Sequence, residues 1–172
     1  MTPFTLLHTI VSVLPVGFGL AAFARHGAID PKARVGKWYI GTMLAGTVSG
    51  FGFLLTLGFT PGQVLGLFTL SLLTLGTLTT TGRWRKPGYV QTVALSASYL
   101  MLWVFFTTET LKRFPSGQPF ASGPDDPALI PVRLALLAVF VVGVTYQVLK
   151  IRAANSPVAR LRRIVAEYRQ AA

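Results

Sequence analysis

One long stretch without ionisable side chains limits what this chain can fold into. From Trp38 to Gly82, a run of 45 residues, there is no Asp, Glu, Lys, Arg or His. The hydrocarbon core of a bilayer is about 30 Å thick and a helix rises about 1.5 Å per residue, so one crossing takes about 20 apolar residues. The stretch is therefore long enough to cross a membrane twice.

The composition of the whole chain agrees with a membrane protein. Hydrophobic residues make up 52% of the 172 residues and charged residues only 12%, whereas a soluble domain carries about 25% charged residues. Five uncharged runs are long enough to cross, at about residues 4–24, 38–59, 63–82, 88–110 and 128–150. The sequence predicts an all-α, polytopic integral membrane protein with five transmembrane helices in residues 1–155.

The sequence also predicts the structure of one connection and of the C-terminal tail. Thr60-Pro61-Gly62 is typical of a turn, short enough to make the second and third helices antiparallel neighbours. In the tail, Ser156-Pro157 resembles a helix start and is followed by apolar residues at helical spacing among arginines. Residues 156–172 therefore form a predicted short amphipathic helix on the cytoplasmic membrane surface. A helix that binds a partner would show the same pattern.

The positive charges are distributed unevenly between the two predicted sides. Of 16 Lys and Arg residues, three lie on the side that holds the loop between the fourth and fifth helices: Lys112, Arg113 and Arg133. The other side holds the remaining thirteen: Arg25, Lys32, Arg34, Lys37, Arg83, Arg85, Lys86, Lys150, Arg152, Arg160, Arg162, Arg163 and Arg169. Because basic loops stay in the cytoplasm, this predicts a bacterial inner-membrane protein with a periplasmic N-terminus and a cytoplasmic C-terminus.

The same asymmetry bears on partners. The basic face fits the anionic lipids of the cytoplasmic leaflet, and beside five spans this interpretation is favoured over a nucleic-acid surface.

Two glycine pairs indicate close helix packing, Gly46-x-x-x-Gly50 in the second helix and Gly62-x-x-x-Gly66 at the start of the third. They predict contacts inside the chain's own bundle, with a homodimer as the alternative.

The numbers of cysteine and histidine residues limit which metals and cofactors the chain can bind. With no cysteine and two histidines, the chain has no disulfide, thiolate metal site or iron–sulfur cluster, and cannot by itself build a three-histidine zinc site. His8 and His26 lie at opposite ends of the first helix, about 27 Å apart, and so cannot clamp one haem. No metal site and no cofactor are predicted.

Three ionisable residues are predicted at one level near the outer surface. His8 lies about one turn into the first helix, Glu109 near the end of the fourth, and Arg133 in the first turns of the fifth. Ionisable groups at membrane depth are costly unless they are paired or hydrated. They form a candidate site for a small polar ligand, a bound lipid or a quinone headgroup, or for proton transfer. The alternative is an ion cluster that only orients the helices.

Four stretches carry a family resemblance. They are Leu7-His8, RVGKWYIGTML from Arg34 to Leu44, Ser49-Gly50, and TETLKRFPSGQP from Thr108 to Pro119. Together they resemble the bacterial predicted membrane proteins grouped as domain-of-unknown-function family 2306. The resemblance implies several membrane helices and gives weight to His8 and Glu109, which match positions typical of the family. Where that family often has a histidine, four residues before the glycine matched by Gly36, this chain has Lys32.

The function predicted from these features is non-catalytic. The sequence has no Walker loop, no HExxH and no GxSxG, so no catalytic site is assigned. An accessory or structural subunit of a larger inner-membrane assembly is favoured, with other membrane subunits as partners. A small transporter or ligand-binding protein that uses His8, Glu109 and Arg133 is the alternative, and a redox or lipid-modifying enzyme is third.

Overall fold

The computed structural model of the protein describes residues 2–79 and 87–158. Regular structure in these ranges is helical. The predicted amphipathic tail helix lies, from residue 159 onward, outside the described residues, as do the loop cations Arg83, Arg85 and Lys86. The helices are α1 (Pro3–His26), α2 (Arg34–Gly50), α3 (Leu54–Leu57), α4 (Pro61–Leu78), α5 (Pro87–Leu111) and α6 (Leu129–Ala154), with a 3-10 turn at Phe51–Phe53 between α2 and α3.

Five segments of the described chain are long and apolar enough to cross a membrane. They are Pro3–His26, Arg34–Thr56, Pro61–Leu78, Gly88–Leu111 and Leu129–Ala154. The predicted all-α, multi-pass architecture is therefore confirmed.

The helix ends differ from the predicted ones because charge marks the hydrocarbon core and not the helix. The second helix was predicted from residue 38, but α2 begins at Arg34. The last was predicted to end near residue 150, but α6 continues to Ala154. Backbone hydrogen bonding continues into the headgroup region, where long cationic side chains reach water.

The connection between the second and third spans also differs in detail. Pro61 and Gly62, predicted as the turn, are the first two residues of α4. The change of direction comes earlier, at Gly58, whose φ of 70° is left-handed. Proline suits the first helical position because its missing N–H needs no partner there. The Thr60 N–H donates to Gln63 Oε1 at 2.7 Å, which caps the start of α4.

Four of the long helices close into a ring, and α6 packs outside it. Helix α1 packs on α2, α2 on α4, α4 on α5, and α5 touches α1. Helix α6 packs on α5. Tyr99 of α5 reaches the α1 face at Gly19, where a Cβ atom would overlap the tyrosine ring. The glycine thus makes the α1–α5 contact sterically possible.

The ring has two ends. The "His8 end" contains the start of α1, the α2–α4 connection and the α5–α6 loop (residues 112–128). The "Gly27 end" contains the α1–α2 connection and the end of α6. Antiparallel succession of the helices places these connections at alternate ends.

Helix α6 is barely covered by the rest of the chain. Its two buried residues are Leu129, the first residue of the helix, and Gln147, in its C-terminal half. Between and beyond them it exposes large apolar side chains, namely Ile130, Leu134, Leu137, Val139, Val141, Val142, Tyr146 and Leu149. Such a surface fits lipid or other transmembrane helices as its surroundings.

Candidate functional site

The packing of α1 on α2 is built around His8 and Ser12, which lie one turn apart on α1. A Cβ atom at Gly50 would lie 3.4 Å from His8 Cε1, and one at Gly46 would lie 3.1 Å from Ser12 Oγ. The glycine pair of α2 therefore makes room for a polar pair on α1, and these side chains need the space that the glycines leave.

The second glycine pair also faces other helices of the same chain. A Cβ atom at Gly62 would lie 3.3 Å from the Phe105 ring of α5, and one at Gly66 would lie 3.4 Å from Phe51 and Thr47. All four glycines that the sequence marks for packing thus have a neighbour within the bundle.

His8 is bound to α2 through a serine. His8 Nδ1 lies 2.8 Å from Ser49 Oγ, and the Ser49 hydroxyl donates to the Gly46 carbonyl at 2.9 Å. A hydroxyl has one proton. Because Ser49 gives that proton to Gly46, it accepts from His8, and the neutral imidazole carries its proton on Nδ1.

The other nitrogen of His8 is left as an acceptor with a weak partner. Ser12 Oγ lies 3.5 Å from His8 Nε2, well beyond the usual length of about 2.8 to 3.0 Å. Phe53 packs edge-on against the imidazole with ring centroids 5.0 Å apart. His8 and Ser12 are both half-buried, so each residue keeps part of its surface exposed.

Glu109 was predicted at the same level as His8. Its carboxylate forms ion pairs with two cations that follow it in the chain. Its carboxylate lies 2.7 Å from Lys112 Nζ and 2.7 Å from Arg113 Nη1. Its side chain is 30% exposed, and such pairs contribute about 0 to 1 kcal/mol. Glu109 is near enough to act electrostatically on the His8 ring. The described contacts between these two residues do not include a hydrogen bond.

Arg133, the third predicted residue, is bound to the loop instead. Its Nη2 donates to the Pro124 carbonyl oxygen, and its buried Nε has no hydrogen-bond partner among the described residues. The three predicted residues therefore share the His8 end, but in the described chain Arg133 bonds to neither of the others.

The α5–α6 loop is folded against the end of the bundle. Ala121 is buried and its N–H donates to the Leu111 carbonyl. Asp126 accepts from the Ser122 N–H at 2.7 Å and from the Ala128 N–H at 2.9 Å. These backbone hydrogen bonds lower the pKa of Asp126 from its ordinary value. The loop thus has a fixed shape at the His8 end.

Sequence analysis missed a buried hydrogen bond in the middle of the ring. Tyr39 of α2 is fully buried, and its hydroxyl lies 2.8 Å from Ser98 Oγ of α5. Ser98 donates to the Leu95 carbonyl at 2.8 Å, so the tyrosine is the donor in the first contact. This bond ties α2 to α5 across the bundle interior.

A second missed contact attaches α6. Gln147 Nε2 donates to the Gly27 carbonyl at 2.8 Å, and Ser96 Oγ of α5 donates to Gln147 Oε1 at 2.9 Å. A signal for it exists in the sequence, since Gln147 is an uncharged polar side chain inside an apolar run, and such a group needs a partner in lipid. The amide joins the end of α1 and the C-terminal half of α6 to the middle of α5.

The Gly27 end carries a strong positive charge. Six of its described side chains are exposed cations, namely Arg25, Lys32, Arg34, Lys37, Lys150 and Arg152. The ion pairs found in residues 2–79 and 87–158 both involve Glu109, at the opposite end. Asp30, the acid beside these cations, accepts the Lys32 backbone N–H at 2.9 Å. The basic surface is thus left without an acidic partner in the described chain.

Neither the arrangement of possible metal ligands nor comparison with known proteins assigns a function to the described chain. Within the part of the chain that the structure describes, no three His, Asp or Glu side chains converge as metal ligands would. Comparison with protein families, curated proteins and solved structures found no match to this chain. The resemblance to domain-of-unknown-function family 2306 therefore stays a prediction.

Proposed function

We propose that this chain is a non-catalytic accessory or structural subunit of a larger assembly in a bacterial inner membrane. The observation that carries the proposal is the attachment of α6. This helix packs on α5 and is fixed there by the Gln147 contacts, while its other face exposes large apolar side chains. A helix held in a defined position with an uncovered apolar surface can pack against transmembrane helices of another subunit.

The polar side chains of the spans support the same role. Tyr39 bonds to Ser98, His8 to Ser49, and the Tyr99 hydroxyl donates to the Val16 carbonyl at 3.1 Å. Each bond joins two different helices. Polar groups placed in this way fix the relative positions of the helices, as a scaffold requires.

The orientation proposed for the chain has the Gly27 end in the cytoplasm and the His8 end in the periplasm. It is supported by the six exposed cations of the Gly27 end, because basic residues are retained on the cytoplasmic side. The proposed partners at this face are anionic phospholipids, whose charge such residues attract.

Purification from the native membrane in mild detergent tests the subunit role. Other membrane proteins should copurify in a fixed ratio with the wild-type chain. Gly143 lies on α6 with nothing within 4 Å of the position of its Cβ, so Gly143→Leu leaves the fold intact and should release the partners. Gly41→Leu on α2 is the matched control, because that position is also open, and it should keep them.

Two results would contradict the subunit role. One is purification of the wild-type chain alone from the native membrane. The other is equal retention of partners by Gly143→Leu and wild type, which would show that α6 is not the contact surface.

A further inference from the structure

We propose that His8 and Ser12 form a binding site for the hydroxyl group of an uncharged, lipid-soluble phenol of the quinol type. The site lies on the α1 surface at the His8 end. Its position five residues after the start of α1 places it about 8 Å along that helix, within reach of a ligand dissolved in the bilayer. The inference stands apart from the subunit role, because it needs no contact with another protein.

The hydrogen bonds of His8 determine which group binds there. Ser49 holds the proton on Nδ1 by accepting it, and so Nε2 presents a lone pair. A lone pair binds a hydrogen-bond donor and repels an anionic oxygen. The ligand is therefore a donor, which excludes a carboxylate or phosphate at this nitrogen.

The two side chains are close enough for one oxygen atom to contact both of them. Ser12 Oγ and His8 Nε2 are 3.5 Å apart, too far for a strong direct bond. A ligand hydroxyl beside them can donate to Nε2 and accept from Ser12 at about 2.8 Å each, the normal length for such bonds. Two good hydrogen bonds would then replace one long contact.

The neighbours of His8 favour a ligand with a planar apolar ring. Phe53 lies edge-on to the imidazole, and Phe4 packs on Phe53 with ring centroids 5.1 Å apart. Phe4 is 44% exposed and Leu7 62% exposed. Aromatic side chains pack well against a further ring. A phenol has such a ring and, unlike an aliphatic alcohol, uses this aromatic surface.

The experiment measures binding of decyl-hydroquinone to the full-length protein in lipid nanodiscs. Its dimethyl ether, which has the same ring and tail but no hydroxyl, is the matched ligand. The wild type should bind the hydroquinone at least tenfold more tightly than the ether. Ser12→Ala, which removes one of the two hydrogen bonds to the ligand, should weaken hydroquinone binding about fivefold. His8→Phe should bind both ligands equally.

Ser71→Ala is the matched control variant. Ser71 is exposed on α4 and donates to the carbonyl of Leu67 in its own helix at 2.9 Å, so its loss should leave binding unchanged. Thermal unfolding of each variant shows whether it is folded. Wild-type binding that is absent, or equal for hydroquinone and ether, would overturn the proposal, as would a folded Ser12→Ala protein that binds as tightly as the Ser71→Ala control.

Discussion

His8 Nδ1 lies 2.8 Å from Ser49 Oγ and so joins the first turns of α1 to the last turn of α2. The two residues are 41 positions apart in sequence. Because Ser49 also donates to the Gly46 carbonyl, this one hydroxyl fixes the orientation of the imidazole and its tautomer.

The first prediction concerns that tautomer. In a protein labelled with ¹⁵N-histidine, with His26→Gln to leave one histidine, the neutral His8 ring should show its proton on Nδ1. Ser49→Ala removes the acceptor, so the ring should become a mixture of tautomers, and the bundle should lose about 0.5 to 1.5 kcal/mol of stability. A wild-type signal from the Nε2–H form would contradict the assignment.

The second prediction concerns the contact between Gly46 and Ser12. A Cβ atom at Gly46 would lie 3.2 Å from the Ser12 Cα atom, which is backbone and cannot turn away. Gly46→Leu should therefore push α1 from α2 and lower the unfolding free energy by about 1 to 3 kcal/mol, the usual cost of overpacking. Thermal unfolding in detergent measures the change.

The control for Gly46→Leu is Gly41→Leu on the same helix, where nothing lies within 4 Å. Its unfolding temperature should equal or exceed that of the wild type, because leucine favours helix more than glycine does. Equal destabilisation by the two substitutions would show that the α1–α2 contact is not the cause.

The third prediction concerns the attachment of α6. Gln147→Leu keeps the size of the side chain but leaves the Gly27 carbonyl and the Ser96 hydroxyl without their present partner. Unsatisfied buried polar groups cost about 1 to 3 kcal/mol, and α6 should separate from the bundle more readily. Limited proteolysis after Ala154 should then become faster.

Thr145→Val is the matched substitution, since Thr145 is exposed on the same helix and its loss should not change cleavage. If Gln147→Leu resists proteolysis as well as Thr145→Val does, the Gln147 contacts do not hold α6.

The fourth prediction concerns the pH dependence of the α5–α6 loop. Hydrogen bonds from Ser122 and Ala128 lower the pKa of Asp126 below its ordinary value of 3.8. A lowered pKa means that the stabilisation is present above 3.8 and is lost as the pH falls through the lowered value. Hydrogen exchange at the Ser122 and Ala128 amides should stay slow down to pH 3.8 and accelerate only below it.

Asp126→Asn should accelerate this exchange at neutral pH, whereas Asp125→Asn, which changes the neighbouring acid, should not. Loss of protection already between pH 5 and 6 in the wild type would show that another group controls the loop.

Sequence reasoning predicted the five spans, whereas the function of the candidate site stays a prediction. The five spans follow from the need for uncharged runs, and that need comes from the bilayer itself. The pairing of Gly46 and Gly50 with a neighbouring helix also follows from residue size. The sequence does not determine which side chains face these two glycines, because the rotation of each helix depends on the packing of the whole bundle.

The partners of the polar side chains could not be predicted from the sequence either. Glu109, His8 and Arg133 were predicted at one level and all three lie at the His8 end; their role in binding a ligand stays a prediction. Lys112 and Arg113, three and four residues further along, are nearer partners for Glu109. The Tyr39–Ser98 bond joins residues 59 positions apart, and no local pattern in the sequence marks it.

The most direct test of the membrane account uses the absence of cysteine from the chain. Single cysteines at Ser116, in the α5–α6 loop, and at Asn155, just after α6, provide two labelling sites at exposed positions. In intact cells with a permeable outer membrane, a membrane-impermeant maleimide should label Ser116→Cys. It should label Asn155→Cys only after the inner membrane is opened. Labelling of both positions from the same side would contradict the account.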